Sequence, residues 1–380
     1  MTVKLAGSRR VAGMAMLSAV AITLAACGGS TEAEEPAAGA SAEEEGSSLS
    51  GDLAGAGATS QEAAMNAWMA GFQEQNPEVN VSYDPTGSGT GREQFLNGAV
   101  LFAGSDAAMD EEELTAGAER CFGGEVIELP LYISPIAVAY NLPGVEAENV
   151  NLKPAVLADI FDGTITKWND PAIVADNPAL ADVDLDIKPI NRSDSSGTTE
   201  NFTEYLSEAA PEAWEHGPVE DWPIAGTLSG NGTSGVATTL EGSEGGIAYL
   251  DASRVPDAEG VGTVAVGVGE EFVPFSPEAA AAVVDASPAT EDATDLRLTV
   301  DLARDTQESG TYPIVLVSYS IACSTYESEQ DAENVKALLS YIASEEGQER
   351  ASDPSVAGSA PISDALREDV TAAIEKITVA

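Results

Sequence analysis

Three times along the chain a short strand-like segment runs into a loop of Gly, Ser and Thr, and that loop opens a helix. The first loop is Gly55-Ala56-Gly57-Ala58-Thr59-Ser60; apolar residues follow at Ala64, Met65, Trp68, Met69 and Phe72, the period of an amphipathic helix. The second starts from Val79 and Val81-Ser82-Tyr83, passes through Thr86-Gly87-Ser88-Gly89-Thr90-Gly91 and leads to a helix burying Phe95 and Leu96. The third runs from Ile187-Lys188-Pro189-Ile190 through Asn191 to Thr199 into a helix carrying Phe202, Tyr205 and Leu206. Strand alternating with helix argues for an α/β architecture. At 380 residues and 38.9 kDa the chain is too long for one simple core and long enough for two lobes.

A helix N-terminus presents unpaired N–H groups and about half a positive charge. Glycine lets a ligand approach that backbone, and Ser or Thr adds a hydroxyl. Three such loops converging could hold one small anion without a basic patch. The plainer reading of each loop is capping alone: Thr59 with Glu62 fits a capping box. The third loop also carries Arg192, a planar fork suited to two oxyanion oxygens, with Asp194 two residues on to hold it. The alternative for that pair is a surface ion pair of little consequence.

Gly104-Ser105-Asp106 ends another strand-like segment, Ala99 to Ala103. An acid there fits an anion site only if the anion carries a proton, because a carboxylate accepts a hydrogen bond from hydrogen phosphate and meets bare repulsion from sulfate. As a helix cap before Ala107-Ala108-Met109, Asp106 would need no ligand at all.

The charge balance narrows the partners. The chain has 64 acids against 16 Lys and Arg, a formal −48, and one histidine. Such a surface repels phosphodiester backbones and anionic headgroups, so nucleic acid is not an expected partner. His216 alone cannot form a His-rich metal site, and neither a metal nor a cofactor is expected. There is no GxSxG elbow or P-loop, and no enzymatic activity is expected.

Lys4, Arg9 and Arg10 precede an uncharged apolar stretch, Val11 to Ala26, too short to favour a membrane span. It ends Leu24-Ala25-Ala26-Cys27-Gly28, which resembles a bacterial lipobox: cleavage before Cys27, lipid on Cys27, and a cell-membrane protein anchored on the extracytoplasmic face. Removing residues 1–26 takes the formal charge to −51. Residues 27–50 then read as the lipidated Cys and a flexible acidic tether. Cys121 and Cys323 remain; an even pair in an exported chain points to a disulfide, with two buried free thiols the other reading.

Taken in order, these segments resemble the phosphate-binding lipoproteins of Pst-type ABC importers. Supporting stretches are Ile160-Phe161-Asp162-Gly163-Thr164-Ile165-Thr166-Lys167-Trp168-Asn169-Asp170-Pro171, Asn231-Gly232-Thr233-Ser234-Gly235-Val236 and Gly245-Gly246-Ile247-Ala248-Tyr249. The resemblance spans roughly residues 51–365 and implies a two-lobe Venus-flytrap fold of the class II binding-protein type, with the ligand cleft between lobes. It implies lobe one from 51–138 and 312–380, lobe two from 139–311, and a crossing run at Tyr312 to Ser320. By motif position, Thr59, Ser60 and Ser88 would contact phosphate, and Asp106 would accept its proton. Arg192 would clamp it, oriented by Asp194, with Ser196, Gly197 and Thr198 as donors. Ser60 stands where the family often has an aromatic. The implied partners are inorganic phosphate and the importer's permease and ATPase, with the binding protein a monomer. A protein for another oxyanion, such as sulfate or molybdate, and a surface or signalling protein on the same fold are the competing readings.

Overall fold

A computed structural model describes residues 49–380 except Glu146 and Glu148; the signal segment, Cys27 and nearly all of the tether lie outside the described residues. The chain begins with β1 (Gly51–Gly57), α1 (Glu62–Gln75), β2 (Val79–Asp84), α2 (Ser88–Leu96), β3 (Phe102–Ser105) and α3 (Glu111–Arg120). Then comes β4 (Val126–Asn141), whose sixteen residues are all buried. It is followed by β5 (Asn149–Leu152), α4 (Pro154–Asp162), α5 (Pro171–Val174), β6 (Lys188–Arg192), α6 (Gly197–Ala209), β7 (Leu228–Gly230) and α7 (Gly232–Glu241). The rest is β8 (Gly246–Asp251), β9 (Val261–Val268), β10 (Glu271–Pro274), α8 (Pro277–Ala286), β11 (Val315–Cys323), β12 (Thr325–Tyr326), α9 (Glu329–Ala343), α10 (Glu345–Ser352), α11 (Asp364–Glu375) and β13 (Thr378–Val379).

One strand organises all of this. The first part of β4 pairs antiparallel with β11 from Val126 to Pro135, extending a parallel set ordered β2-β1-β3. From Ile136 the same strand pairs with β8, and β8 continues in parallel to β6 and β7. β9 joins the far end of β4 and carries β5 and β10. The prolines of β4 sit where a missing N–H does least harm: Pro130 at the irregularity opposite Tyr319, Pro135 opposite Val315, the first residue of β11. One continuous hydrophobic core runs along both sheet portions, joined through buried β4 with its run of Val, Ile, Leu and Ala. Trp68 on α1 meets the edge of Tyr132 on β4 in the first lobe, with ring centroids 6.3 Å apart. In the second, Phe202 stacks on Tyr249 and Phe161 meets Phe202 edge-on.

Two expectations change. Thr59 does not cap α1: the helix begins after Gln61 without a side-chain cap, and the Thr59 hydroxyl lies elsewhere. Residues 294–298, expected in the second lobe, lie beside the first part of β4. There the Glu128 N–H donates to the Leu296 carbonyl and the Leu298 N–H to the Glu128 carbonyl, both at 2.9 Å. The reason is charge. Glu128 is fully buried, and Arg297 brings it a partner at 2.5 Å. The crossing run forms β11, as a strand beginning at Val315. Among the described residues no helix is long and apolar enough to cross a membrane.

Cys121, at the end of α3, and Cys323, at the end of β11, are bonded across a sequence separation of 202. Closing so long a loop removes unfolded-state entropy, so Cys121→Ala/Cys323→Ala should lose roughly 2–5 kcal/mol in denaturant titration. Equal midpoints for that variant and the parent would show the bond to be energetically idle.

Asp251, at the end of β8, is fully buried and takes hydrogen bonds from Tyr132 Oη and from the Ser253 N–H and hydroxyl. Burial pushes its pKa from 3.8 up to about 6, although the Ser253 bonds pull it down. Between those values the folded state holds a proton that the unfolded state has released, so stability falls as pH rises through about 4 to 6. Asp251→Asn keeps an acceptor oxygen without the charge and should flatten that slope, gaining roughly 1–3 kcal/mol above pH 6. Urea unfolding of both proteins at pH 4 and 7 measures it; parallel slopes would contradict it.

Candidate functional site

The loop readings and the sheet topology meet at the C-terminal ends of β1, β3 and β6, where open α/β sheets present their ligand crevices. Gly57 closes β1 at φ 144, and a Cβ there would lie 2.0 Å from the Gly104 carbonyl of β3. Only glycine allows that approach. It brings the Thr59-Ser60 turn against Asp106.

Asp106 is the centre of the arrangement. It is 4% exposed and does not cap a helix, because the next helix starts at Glu111 with Asp110 as its cap. Its carboxylate accepts from Ser60 Oγ at 2.6 Å on one oxygen and from Thr198 Oγ1 at 2.9 Å on the other. A further bond comes from Ser318 of β11, whose hydroxyl accepts from Gln61 Nε2 at 2.8 Å. Ser60 and Ser318 belong to the first lobe, Thr198 to the second. Burial raises the Asp106 pKa, and the bonds from Ser318, Ser60 and Thr198 and the Arg192 charge pull it back without cancelling the rise.

The remaining expected residues gather around it. Ser88, the first residue of α2, accepts from the Asp106 N–H at 3.1 Å. A Cβ on Gly197 would lie 2.8 Å from Asp106 Cβ and 2.9 Å from Ser88 Oγ, so the start of α6 abuts both. Ser196 caps α6, its hydroxyl accepting from the Thr199 N–H. Arg192 is 3% exposed and held side-on by Asp194: Nε donates at 2.9 Å, and a terminal nitrogen donates to the other carboxylate oxygen. Asp194 also accepts from the Gly232 N–H at 3.0 Å. Arg192 is therefore buried, Asp194 is half-buried beside it, and the pair is not a surface decoration.

Several participants carried no sequence signal strong enough to single them out. Thr59 Oγ1 lies 2.9 Å from Thr233 Oγ1 and accepts from the Thr233 N–H at 3.1 Å, so α7 is a fourth helix start at the site. The clue was present: Gly232-Thr233-Ser234-Gly235 has the composition of the other three loops. Tyr249 Oη accepts from the Arg192 N–H at 3.2 Å and lies 2.8 Å from Thr199 Oγ1, bracing both ends of the third loop. Asn201 donates to the Asp106 carbonyl at 2.7 Å and to the Gly197 carbonyl at 2.8 Å, and it is gripped by the buried Arg304. Glu200, in the first turn of α6, is pushed up to about 7, first by burial and then by the nearby Glu220 carboxylate.

Chemically, the site offers helix N-termini, hydroxyls, one oriented guanidinium and one buried carboxylate. Among the described residues, no group of three or more His, Cys, Asp or Glu is placed to hold a metal ion.

Comparison with known proteins agrees with this architecture. A PBP-superfamily domain model matches residues 31–346. The chain is 32% identical to the phosphate-binding protein PstS2 of Mycobacterium bovis over 375 residues, covering 98% of this chain and 99% of that one. It is also 32% identical to the phosphate-binding protein PstS 3 of Mycobacterium leprae, over 76% of this chain and 77% of the relative. Among solved structures, a high-affinity periplasmic phosphate-binding protein, PfluDING, bound with phosphate superposes with a TM-score of 0.69 at 22% identity, covering 85% of this chain and 93% of that one. The phosphate-binding protein of Stenotrophomonas maltophilia gives 0.64 at 21% identity, over 85% and 94% of the two chains. The chain belongs to the PBP superfamily and, within it, to the family of PstS phosphate-binding proteins.

Proposed function

We propose that this chain binds inorganic phosphate outside the cytoplasm and delivers it to the permease of an ABC-type importer. The observation that carries the reading is the buried Asp106 carboxylate, served by hydroxyls from both lobes and close enough to Arg192 to feel its charge. A site meant for any anion would not place a carboxylate there. One meant for an anion that keeps a proton gains an acceptor for it, and that separates phosphate from sulfate. On this reading Arg192, oriented by Asp194, neutralises the ligand. Thr59, Ser60, Ser88, Ser196, Gly197 and Thr198 supply hydroxyls or helix-terminal N–H groups. Cys27 carries the lipid that holds the protein at the outer face of the membrane, with residues 28–50 as its tether.

Calorimetric titration of the ligand-stripped 28–380 fragment with phosphate and then sulfate tests the reading. Phosphate should bind tightly and sulfate should give no heat. Arg192→Ala should weaken phosphate by about 2–4 kcal/mol, the cost of removing a buried charge from an anion. Equal binding of the two oxyanions by the parent would mean that Asp106 selects nothing, and silence from both would favour a surface or signalling role.

The pH dependence carries the same logic. Because burial raises the Asp106 pKa, the group protonates at a higher pH than an ordinary carboxyl. Once protonated it can donate to sulfate instead of repelling it. Sulfate binding should therefore emerge as pH falls into the acid range, and Asp106→Asn should show it already at neutral pH. A sulfate response absent at every pH, in both proteins, would count against the role given to Asp106.

A further inference from the structure

Beside the anion site lies a second polar contact between the lobes that none of the roles above uses. Arg92, on α2 in the first lobe, is 7% exposed. Its Nε donates to both carboxylate oxygens of Glu113 at 2.8 and 3.0 Å, and one terminal nitrogen donates to Ser105 Oγ at 3.0 Å. That same nitrogen donates across the cleft to Glu220 Oε1 at 2.9 Å. Glu220 is fixed on its own side: its other oxygen accepts from Ser195 Oγ at 2.9 Å, and its carbonyl accepts from the Ser196 N–H at 3.2 Å. The neighbouring Val219 N–H donates to Thr203 Oγ1 of α6 at 2.9 Å. Both ends of the contact are thus anchored to the lobe they come from, and each touches an anion loop, Ser105-Asp106 on one side and Ser195-Ser196 on the other.

The fit around the pair is tight. A Cβ on Gly89, in the first turn of α2, would lie 2.5 Å from Ser195 Oγ and 3.0 Å from Glu220 Oε2. A Cβ on Gly87 would lie 2.7 Å from the Ser195 carbonyl. These contacts join the two lobes, whereas Arg92–Glu113 and Glu220–Ser195 lie each within one lobe.

We propose that Arg92 and Glu220 form a latch across the cleft that sets how long the bound anion is retained, with Gly89 the clearance that lets it close. The proposal rests on the reading of the site as a phosphate cleft. Neither residue touches the ligand; both are positioning residues. An interaction present in the closed state and absent in the open one biases the equilibrium by its own free energy, and this bias appears in the release rate. Pre-anchoring matters too. Glu113 holds the guanidinium and Ser195 the carboxylate, so closing orders little that was loose beforehand.

Glu220→Gln removes the charge while keeping shape and an acceptor for Ser195. Gly89→Ala leaves every charge in place, adds a good helix former to α2 and wedges the cleft instead. Stopped-flow release of phosphate should be about tenfold faster in Glu220→Gln, the low end of what close charge pairs across an interface contribute, with association nearly unchanged. Gly89→Ala should also release faster. The rise in melting temperature on adding phosphate should shrink in Glu220→Gln, which a merely structural role would not produce. In Arg92→Gln the Glu220→Gln change should add little. Wild-type release rates in Glu220→Gln and Gly89→Ala, or an undiminished Glu220→Gln effect in the Arg92→Gln background, would overturn the latch. A parent protein that takes up no phosphate would overturn the functional reading instead. The latch then rests on small-angle X-ray scattering, where the two variants should be more open than the parent and identical profiles would overturn it.

Discussion

Burying a charge is tolerated only when a partner and hydrogen bonds are buried with it, and this chain buries charge around the seam between its lobes. It has 16 Lys and Arg against 64 acids, yet Arg92, Arg192, Arg297 and Arg304 are each no more than 9% exposed. Each meets at least one carboxylate: Glu113 and Glu220, Asp194, Glu128 and Asp292, and Glu204. Every one of these pairings also fixes a loop. Arg297 holds Glu128, whose other oxygen accepts from the Met109 N–H and so settles the chain just beyond Asp106. Arg304 grips Asn201, which in turn holds the carbonyls of Asp106 and Gly197. Arg297 and Arg304 thus hold these loops in place from behind, while Arg192 is the cation expected at the anion.

This division of labour explains what could be read in advance. Glycine and hydroxyl residues at a strand-to-helix junction are a local pattern with a local cause, so Thr59, Ser88 and the Arg192–Thr199 loop stood out. Where a local pattern offered two partners, the sequence could not choose. Thr59 and Glu62 spell a capping box, but the Thr59 hydroxyl meets Thr233, 174 residues away. For Asp106 the cap is the alternative reading, and the next helix is capped by Asp110 instead. Arg92 and Glu220 are 128 residues apart, and in a chain so rich in acids one more Glu carries no pairing signal. The return of residues 294–298 to the first lobe was hidden for the same reason. Its cause is a single buried Glu128 needing Arg297, and no periodicity records that.

The shared strand makes these distant pairings possible. β4 belongs to both sheet portions, so the lobes are hinged through continuous, fully buried backbone and not through a loose linker. Its prolines fall where pairing is already interrupted or handed on, and the ladder stays intact elsewhere. Asp106 with Thr198, Thr59 with Thr233, and Arg92 with Glu220 are three polar contacts that join the lobes on either side of that strand.

An acidic protein built in this way can still hold an anion, because net charge and local field act over different distances. At roughly 0.1 M salt the Debye length is about 10 Å, so most of the formal −48 is screened from the cleft. Within the cleft the relevant charges are Arg192 with its partner Asp194, the ends of helices α1, α2, α6 and α7, and the carboxylate of Asp106. The helix ends contribute about half a charge each, fixed in direction and without the counter-carboxylates that lysines would attract on such a surface. Putting the attraction into backbone dipoles leaves the Asp106 carboxylate free for the discriminating role proposed for it. In an acidic chain this arrangement has a second consequence: a basic patch would attract the protein's own acids from every side, whereas a helix-start N–H gives one directed bond, as Gly232 gives to Asp194. The Gly- and Ser-rich loops therefore follow from the composition of the surface as much as from the ligand.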